Sequence, residues 1–549
     1  MKLLPEWSLN SKCIWLLLIP LVLSAFTNLW NPIGFPPIHV DEAHYLRRSM
    51  QTLQGSGPQE TSIDFDNTHD HPYFGQLFLA GILQMVGYPN SLDISSITVS
   101  SIETLYLVPR VFMGLLAILD TFLIYKISER KYSTKIAFIA SVVFAVMPIT
   151  WLLRRIFLDN LLLPFLLLSI LTLLYARPLT AGNIKNPCPK TIREKNAILL
   201  MLSGIFLGLA IFTKVPAFTL IPLVGFLAYT NGNKSLKALG IWFIPVILIP
   251  TIWPFYNFWT GQYNNWVDGV FWQMSQRSEK PLSSAIKTFF EMDPVLFLLG
   301  LSGFFYAALS RRQRVWDRLF LVLWILPYTL FMYVIGWVSY FHWIIVLPAF
   351  SIAAGIILER IEVTIGNRIQ SKNKFKEKLR FNVVTLVIVI FGLISTGALV
   401  LIDVNSSYFE VYAFLAQNVV KNDKYASPSN EIGQNESSGI TMVGHRWAWA
   451  FSWIPKYVYQ ANVSFISFNS TNPVNSERFL LLVDDFVRRK LFDQEIEDPA
   501  VERTRMLYNN SNVVGVFTEK KMNLDDVYPY TSLGQDRGIY NKVEVRSNF

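Results

Sequence analysis

The chain has 549 residues, of which 52% are hydrophobic, 15% aromatic and 16% charged, with a net charge of +9. A soluble globular domain carries about 25% charged residues, so that class is excluded. Nucleic acid is excluded as a partner too, because Lys and Arg cluster in short loops between apolar runs, a signature of membrane topology.

A membrane-crossing helix needs roughly 20 largely apolar residues. Runs near 13–30, 107–127, 136–153, 156–176, 197–213, 215–230, 238–257, 294–310, 319–338, 342–359 and 382–403 predict a polytopic α-helical membrane protein with about eleven spans. The first run is read as an uncleaved span rather than a signal peptide, because further spans follow it. Basic loops containing Lys126, Arg130, Lys131, Arg193, Arg311, Arg312 and the stretch 360–380 share one side, which the positive-inside rule makes cytosolic. An odd number of spans then leaves the N-terminus inside and the C-terminus outside. Cys13 lies in the first apolar run and Cys188 in a basic loop, so no disulfide is expected between them.

Residues 1–403 read as a transmembrane catalytic domain with two notable outer loops, 32–106 and 258–292. Residues 404–549 form a polar tail long enough for one small domain. It has apparent strands at Ser464–Phe468 and Asn512–Phe517 and a helical stretch at Arg478–Leu491, which suggests a mixed α/β extracytoplasmic fold. The sequons at Asn405, Asn435, Asn462, Asn469 and Asn509 suit an outward location.

Four of the six histidines, His39, His44, His69 and His71, fall in the first outer loop. The stretch HVDEAHY (His39–Tyr45) carries adjacent carboxylates, Asp41 and Glu42. Neighbouring side chains point in different directions, so one can act as a general base while the other holds a cation or a helix N-terminus. In isolation the pair also reads as a helix cap. The stretch HDHP (His69–Pro72) reads either as half of a metal site or as a polar turn, with Asp70 near an N-cap and Pro72 in a first turn. Arg110, Arg154, Arg155, Asp159 and Lys214 sit at the outer ends of predicted spans. A single such charge snorkels to water. Several cations converging at the lipid–water boundary suit a phosphate head group.

The order of these motifs resembles the protein O-mannosyltransferase family, glycosyltransferase family 39 of the GT-C superfamily. Asp41-Glu42 matches the family's DE pair after span one. Asp70-His71-Pro72-Tyr73-Phe74-Gly75-Gln76 resembles its D-x-H-P-P-L-G-K block, with Tyr73 for the second Pro and Gln76 for the Lys. Arg110 with Gly114 matches the arginine that opens span two. Arg154 to Asp159 resembles R-Y-I-L-L-D, and Gly208 to Lys214 matches G-L-A-x-x-x-K. The resemblance covers roughly 13–360. It lacks the β-trefoil domain of eukaryotic members, so it points to a prokaryotic-type relative.

The resemblance implies a GT-C transferase that moves a mannosyl or other hexosyl unit from a polyprenyl phosphate to an acceptor hydroxyl, Ser or Thr of a protein, on the outer face with inversion. It implies Asp41 as base and Glu42 as an orienting carboxylate. His71, Arg110, Arg154, Asp159 and Lys214 are implied around the substrate, with no metal and no cofactor. The implied location is the plasma membrane in a prokaryote or the endoplasmic reticulum in a eukaryote. Glycolipid enzymes of the lipid A aminoarabinose transferase type share this topology, so a lipid acceptor is the alternative. An oligosaccharyltransferase would carry paired D-x-D sites, which the sequence lacks in their usual form. A transporter is the more distant alternative, since it would place charges near mid-span, whereas the motif charges here sit at helix ends. The 404–549 domain could bind acceptor, cap the site or make a dimer.

Overall fold

The structure, a computed structural model, describes residues 11–59, 69–92, 98–176, 190–232, 234–275, 280–310, 315–368, 383–424, 439–445, 453–458, 463–470, 474, 478–493, 497–518 and 542–549. Cys188 and the sequons at Asn435 and Asn462 lie outside them. The helices in chain order are α1 (Ser11–Leu29), α2 (Val40–Leu53), α3 (Phe74–Met85), α4 (Val99–Lys131), α5 (Thr134–Val146), α6 (Leu158–Tyr175) and α7 (Lys190–Thr213). They continue with α8 (Ile221–Asn231), α9 (Leu236–Leu248), α10 (Ile252–Trp259), α11 (Tyr263–Ser275), α12 (Leu282–Met292), α13 (Pro294–Leu309) and α14 (Val315–Ile335). The last are α15 (Leu347–Arg368), α16 (Val383–Val400), α17 (Ser406–Lys424), α18 (Asp485–Phe492) and α19 (Pro499–Asn509). Short 3-10 helices at Pro148–Arg154, Val215–Leu220 and Tyr340–Ile345 lie between the long helices.

Helices occupy all eleven of the stretches expected to span. Among the described residues, six are long and apolar enough to cross a membrane on length and composition alone, or eight if two bent pairs each count as one span. The chain is thus a multi-pass membrane protein, with six to eight spans by this measure against the eleven expected. Breaks concentrate on one side. The α5 pair bends by 71° at Met147, and the α12–α13 pair bends by 115° at Asp293. Non-helical backbone at Arg155 to Phe157 and at Lys214 makes two more breaks on the same side. These irregular segments carry Arg154, Arg155 and Lys214, as expected where non-helical backbone lines a polar cavity rather than facing lipid.

One carboxylate breaks the helix-end pattern. Asp120 is buried in the middle of α4, next to Thr121, whose hydroxyl donates to Ser24 Oγ at 2.9 Å.

After α16 the chain builds a five-stranded mixed sheet: β1 (Ile440–Gly444), β2 (Val463–Ser467), β3 (Arg478–Val483), β4 (Asn512–Thr518) and β5 (Lys542–Ser547), in the order β2-β1-β3-β5-β4. β1 is parallel to β2 and β3, and β5 is antiparallel to β3 and β4. The stretch Arg478–Leu491, expected to be helical, is strand to Val483 and helix only from Asp485. Phe479 to Val483 is a continuous apolar run buried on both faces of a central strand, and periodicity does not separate that from a buried helix.

The sheet region is tied to the membrane part by polar bonds. The Asn405 amide donates to the carbonyls of Ile33 (2.6 Å) and Pro36 (2.9 Å), and its oxygen accepts from Ile38 N at 3.1 Å. Asn405 is buried, so this sequon offers no exposed amide. Trp453 Nε1 donates to the Tyr106 hydroxyl on α4 at 3.1 Å. Asp484 caps α18 through Val487 N at 2.8 Å and accepts from the Tyr408 hydroxyl of α17 at 3.0 Å.

Burial pushes the Asp484 carboxyl up to about 7, against the opposing pull of those hydrogen bonds. The unfolded value is about 3.9, so the fold prefers the neutral acid. That contribution is fully present below about pH 4 and is lost as pH rises through about 7. An amide at this position would keep the cap and carry no charge. The Asp484→Asn variant should therefore gain thermal stability over wild type as pH rises from about 5 to about 8. Parallel melting curves in detergent across that range check this, and a constant difference would refute it.

Candidate active site

The first outer loop is built around one buried ion pair. α2 begins at His39, whose ring nitrogen caps Asp41 N at 3.2 Å, while the carboxylate of Glu42, three residues on, returns to His39 N at 2.9 Å. This capping box fixes the start of the helix. The Glu42 carboxylate also accepts from Arg110 Nε (3.0 Å), Arg110 Nη2 (2.9 Å) and Ile156 N (3.1 Å). Arg110 spends Nη1 on the carbonyls of Pro32 (2.9 Å) and Pro36 (2.8 Å). Both side chains are completely buried.

Arg110 and Arg154 were expected to serve the phosphate and the loop carboxylates; in the structure Arg110 holds the loop carboxylate Glu42, and Arg154 is turned toward backbone carbonyls. Arg154 donates to the carbonyls of Thr27 (2.7 Å), Trp30 (2.6 Å), Asn31 (2.7 Å) and Phe35 (3.1 Å). The last turn of a helix leaves carbonyls without intrahelical partners, and Arg154 satisfies those at the end of α1. Glu42 likewise has its oxygens filled by protein donors and acts as a brace.

Asp41 differs from its neighbour. Its side chain is 32% exposed, with Oδ1 3.6 Å from His39 Nδ1. The His39 ring meets those of Phe157 and Phe341, with centroids 5.3 and 5.9 Å away, and these two rings lie 5.0 Å apart. Two cations flank the same aromatic pair. Lys214 Nζ is 5.3 Å from the Phe341 ring and 2.6 Å from Asp159 Oδ2. The Arg155 guanidinium is 5.6 Å from the Phe157 ring and 4.9 Å from Trp151, and its Nη1 donates to the Tyr340 hydroxyl at 3.0 Å. The structure thus brings Asp41, Asp159 and Lys214 to one place, with Arg155 rather than Arg154 beside them. Tyr340 and Phe341 come from a segment that carried no motif signal.

A second group abuts Asp41 along the same helix. Arg48 donates to Asp70 Oδ1 at 3.0 Å, and His71 Nε2 is 3.9 Å from Asp70 Oδ2. Burial alone would raise the Asp70 carboxyl, but Arg48 and then His71 beside it hold it well below the carboxylate range. His44 is pushed down to about 3 by burial and by Arg48 and Arg47, so it is neutral at pH 7. Burial raises the Tyr45 phenol, and Asp41, Asp70 and Asp159 around it raise it further. Among the described residues, no three His, Cys, Asp or Glu side chains are grouped to hold a metal. Gly75 lets α3 approach α6, because a Cβ there would lie 2.5 Å from Leu158 Cδ2.

Residues 59–260 match the family model described as dolichyl-phosphate-mannose-protein mannosyltransferase, a stretch that holds His71, Arg110, Arg154, Asp159 and Lys214. The fold is similar to that of the Archaeoglobus fulgidus oligosaccharyltransferase tethered with an acceptor peptide, at TM-score 0.56 and 12% identity over 91% of this chain and 72% of that one. A complex of the same archaeal enzyme, AglB, with an inhibitory peptide and a dolichol-phosphate gives 0.55 and 12% over 88% and 70%. ArnT from Cupriavidus metallidurans bound to undecaprenyl phosphate gives 0.54 and 10% over 98% of each chain. No curated protein matches the chain. The chain thus shares the fold of these membrane enzymes, and the family match over residues 59–260 supports a membrane glycosyltransferase.

Removing one partner of a buried ion pair costs about 3–5 kcal/mol, because the other charge is left uncompensated. Glu42→Ala should therefore lower the thermal midpoint far more than Asp41→Ala. Melting the two variants side by side checks the assignment, and equal shifts would argue against the brace.

Proposed function

We propose that this glycosyltransferase moves a mannosyl or related hexosyl unit from a polyprenyl phosphate to a Ser or Thr hydroxyl of a protein on the outer face. The observation that carries the reading is the partly exposed Asp41 beside His39, whose ring meets the Phe157–Phe341 pair that Arg155 and Lys214 flank. The matched family is named for a dolichyl-phosphate-mannose donor and a protein acceptor. Two structural relatives were solved with a lipid phosphate, and one was solved with an acceptor peptide.

In this scheme the acceptor oxygen attacks the anomeric carbon as the bond to the phosphate oxygen breaks, which inverts that carbon. Asp41 accepts the hydroxyl proton. Arg155 and Lys214 meet the charge that grows on the departing phosphate. Asp159 orients the Lys214 ammonium. His71, held by Asp70, faces the acceptor side. Glu42, Arg110 and Arg154 hold the loop that presents Asp41. The region after 403 packs on the loop that leads into α2, which favours a part in acceptor selection. We place the site on the outer side of the membrane, where the helix breaks cluster, with the N-terminus cytosolic.

A positioned base contributes typically about 10²–10⁴-fold. Asp41→Asn should cut transfer from radiolabelled polyprenyl-phosphate mannose to a Ser/Thr peptide pool by that range, with donor binding and thermal stability retained. Arg155→Lys should weaken donor binding, because Lys keeps the charge and loses the planar fork. Transfer in the presence of EDTA should match the untreated rate. Label entering a lipid instead of peptide would move the function to the glycolipid branch, and full activity in Asp41→Asn would overturn the base assignment.

A further inference from the structure

The second outer loop has a surface that the reaction does not use. α10 and α11 follow directly on α9, and Leu236–Trp259 forms one apolar stretch with most of its surface outside the protein interior. The outward apolar surface continues past that span. Phe255, Phe258 and Trp259 are exposed, Trp259 at 79%, and the chain then turns at Gly261 in the left-handed region into α11.

α11 has three faces rather than two. At about 100° per residue, Tyr263, Val267, Phe271 and Met274 fall in one stripe about 80° wide. All four are exposed, Phe271 at 56%. A second face packs on protein: Trp266 meets Trp253 with centroids 5.7 Å apart, and Gly269 lies against His69, where a Cβ would be 2.7 Å from the His69 carbonyl oxygen. The third face, opposite the docked one, carries Asn264, Asn265, Asp268 and Ser275, all exposed.

α12 repeats the arrangement in the same rotational order. Ile286 and Phe290 form the outward apolar stripe, with half-buried Leu282 at its start, Ala285, Phe289 and Met292 are buried, and Ser283, Ser284 and Lys287 face water. The helix then turns by 115° into α13, so it cannot run along the membrane normal with that helix. A surface helix covered on one side by protein needs one apolar stripe. A second stripe beside a polar face is the pattern of a helix lying in the bilayer interface.

We infer that α11 and α12 form a paddle seated in the outer leaflet, with bilayer lipid as its partner. The lipid surface is favoured because the exposed stripe is continuous with the lipid-facing side of the α9–α10 span, and its Trp and Tyr suit the interfacial zone. Through Gly269 the paddle's inner face rests on His69, so lipid contact steadies the segment that presents Asp70 and His71.

The test uses the full chain in nanodiscs of phosphatidylcholine, with Cys13→Ser and Cys188→Ser as background. Single variants Phe271→Cys, Ile286→Cys and Asn264→Cys are labelled with an environment-sensitive fluorophore. Val334→Cys, exposed at the outer end of α14, serves as the lipid control, and Met506→Cys, exposed on α19, as the water control. Labels at 271 and 286 should be quenched by shallow nitroxide lipids like the label at 334 and resist aqueous iodide, whereas the label at 264 should be quenched by iodide. Iodide quenching at 271 and 286 equal to that at 506 would overturn the inference. Protection at 271 and 286 from both quenchers would also overturn it, because a second copy of the chain would then cover the stripe.

Discussion

The arrangement of the outer face depends on the buried pair of Glu42 and Arg110. It ties three regions that are distant in sequence: the 32–36 turn with the start of α2, the outer part of α4 and the backbone at Ile156. Taking two charges out of water is expensive, and a pair of this kind is tolerated only when its remaining donors and acceptors are also filled. Here the backbone fills them. Such a pair contributes little net stability compared with apolar packing, but it selects one geometry sharply. The bonds are directional, and each alternative placement of the loop strands a charge.

That geometry separates two adjacent carboxylates. Residues 41 and 42 are about 100° apart around α2, so when Glu42 points into the brace Asp41 points elsewhere. It lies partly exposed beside His39, whose ring meets the Phe157–Phe341 pair that Arg155 and Lys214 flank. The brace also fixes Ile156, which sits between Arg155 and Phe157. A single buried pair thus sets both sides of the candidate site: the helix that carries Asp41 and the non-helical segment that carries Arg155.

Much of this was legible in the sequence. Apolar run length located the helices, and the order of short motifs located the charged end of the bundle. The motifs did not reveal the division of labour among the cations. Arg110, Arg154 and Lys214 look alike as charges at helix ends, yet one braces a carboxylate, one caps α1 and one faces the aromatic floor. These roles depend on which carbonyls lie within reach, and that is a property of the folded chain. Tyr340 was invisible for a related reason. An aromatic residue at the end of an apolar run is the commonest thing in a membrane protein, and only its hydrogen bond to Arg155 distinguishes it. The central strand β3 was misread because a continuous run of buried apolar residues carries no period. Asp120 was passed over because a lone polar residue barely lowers the hydropathy of a long run.

The comparison of Arg154 with Arg155 separates motif position from task. Arg154 holds the place of the motif arginine and supports α1, whereas Arg155, at the position of the motif tyrosine, reaches the site. Non-helical backbone from Arg155 to Phe157, where Phe157 N donates to the Arg155 carbonyl at 2.8 Å, makes this possible, since it takes Arg155 out of the helical turn that ends on Arg154. Had the 3-10 helix run one residue further, Arg155 would have turned away from Phe157 and Tyr340. The break between α5 and α6 is therefore what converts a charged dipeptide into one buried cap and one cation at the site.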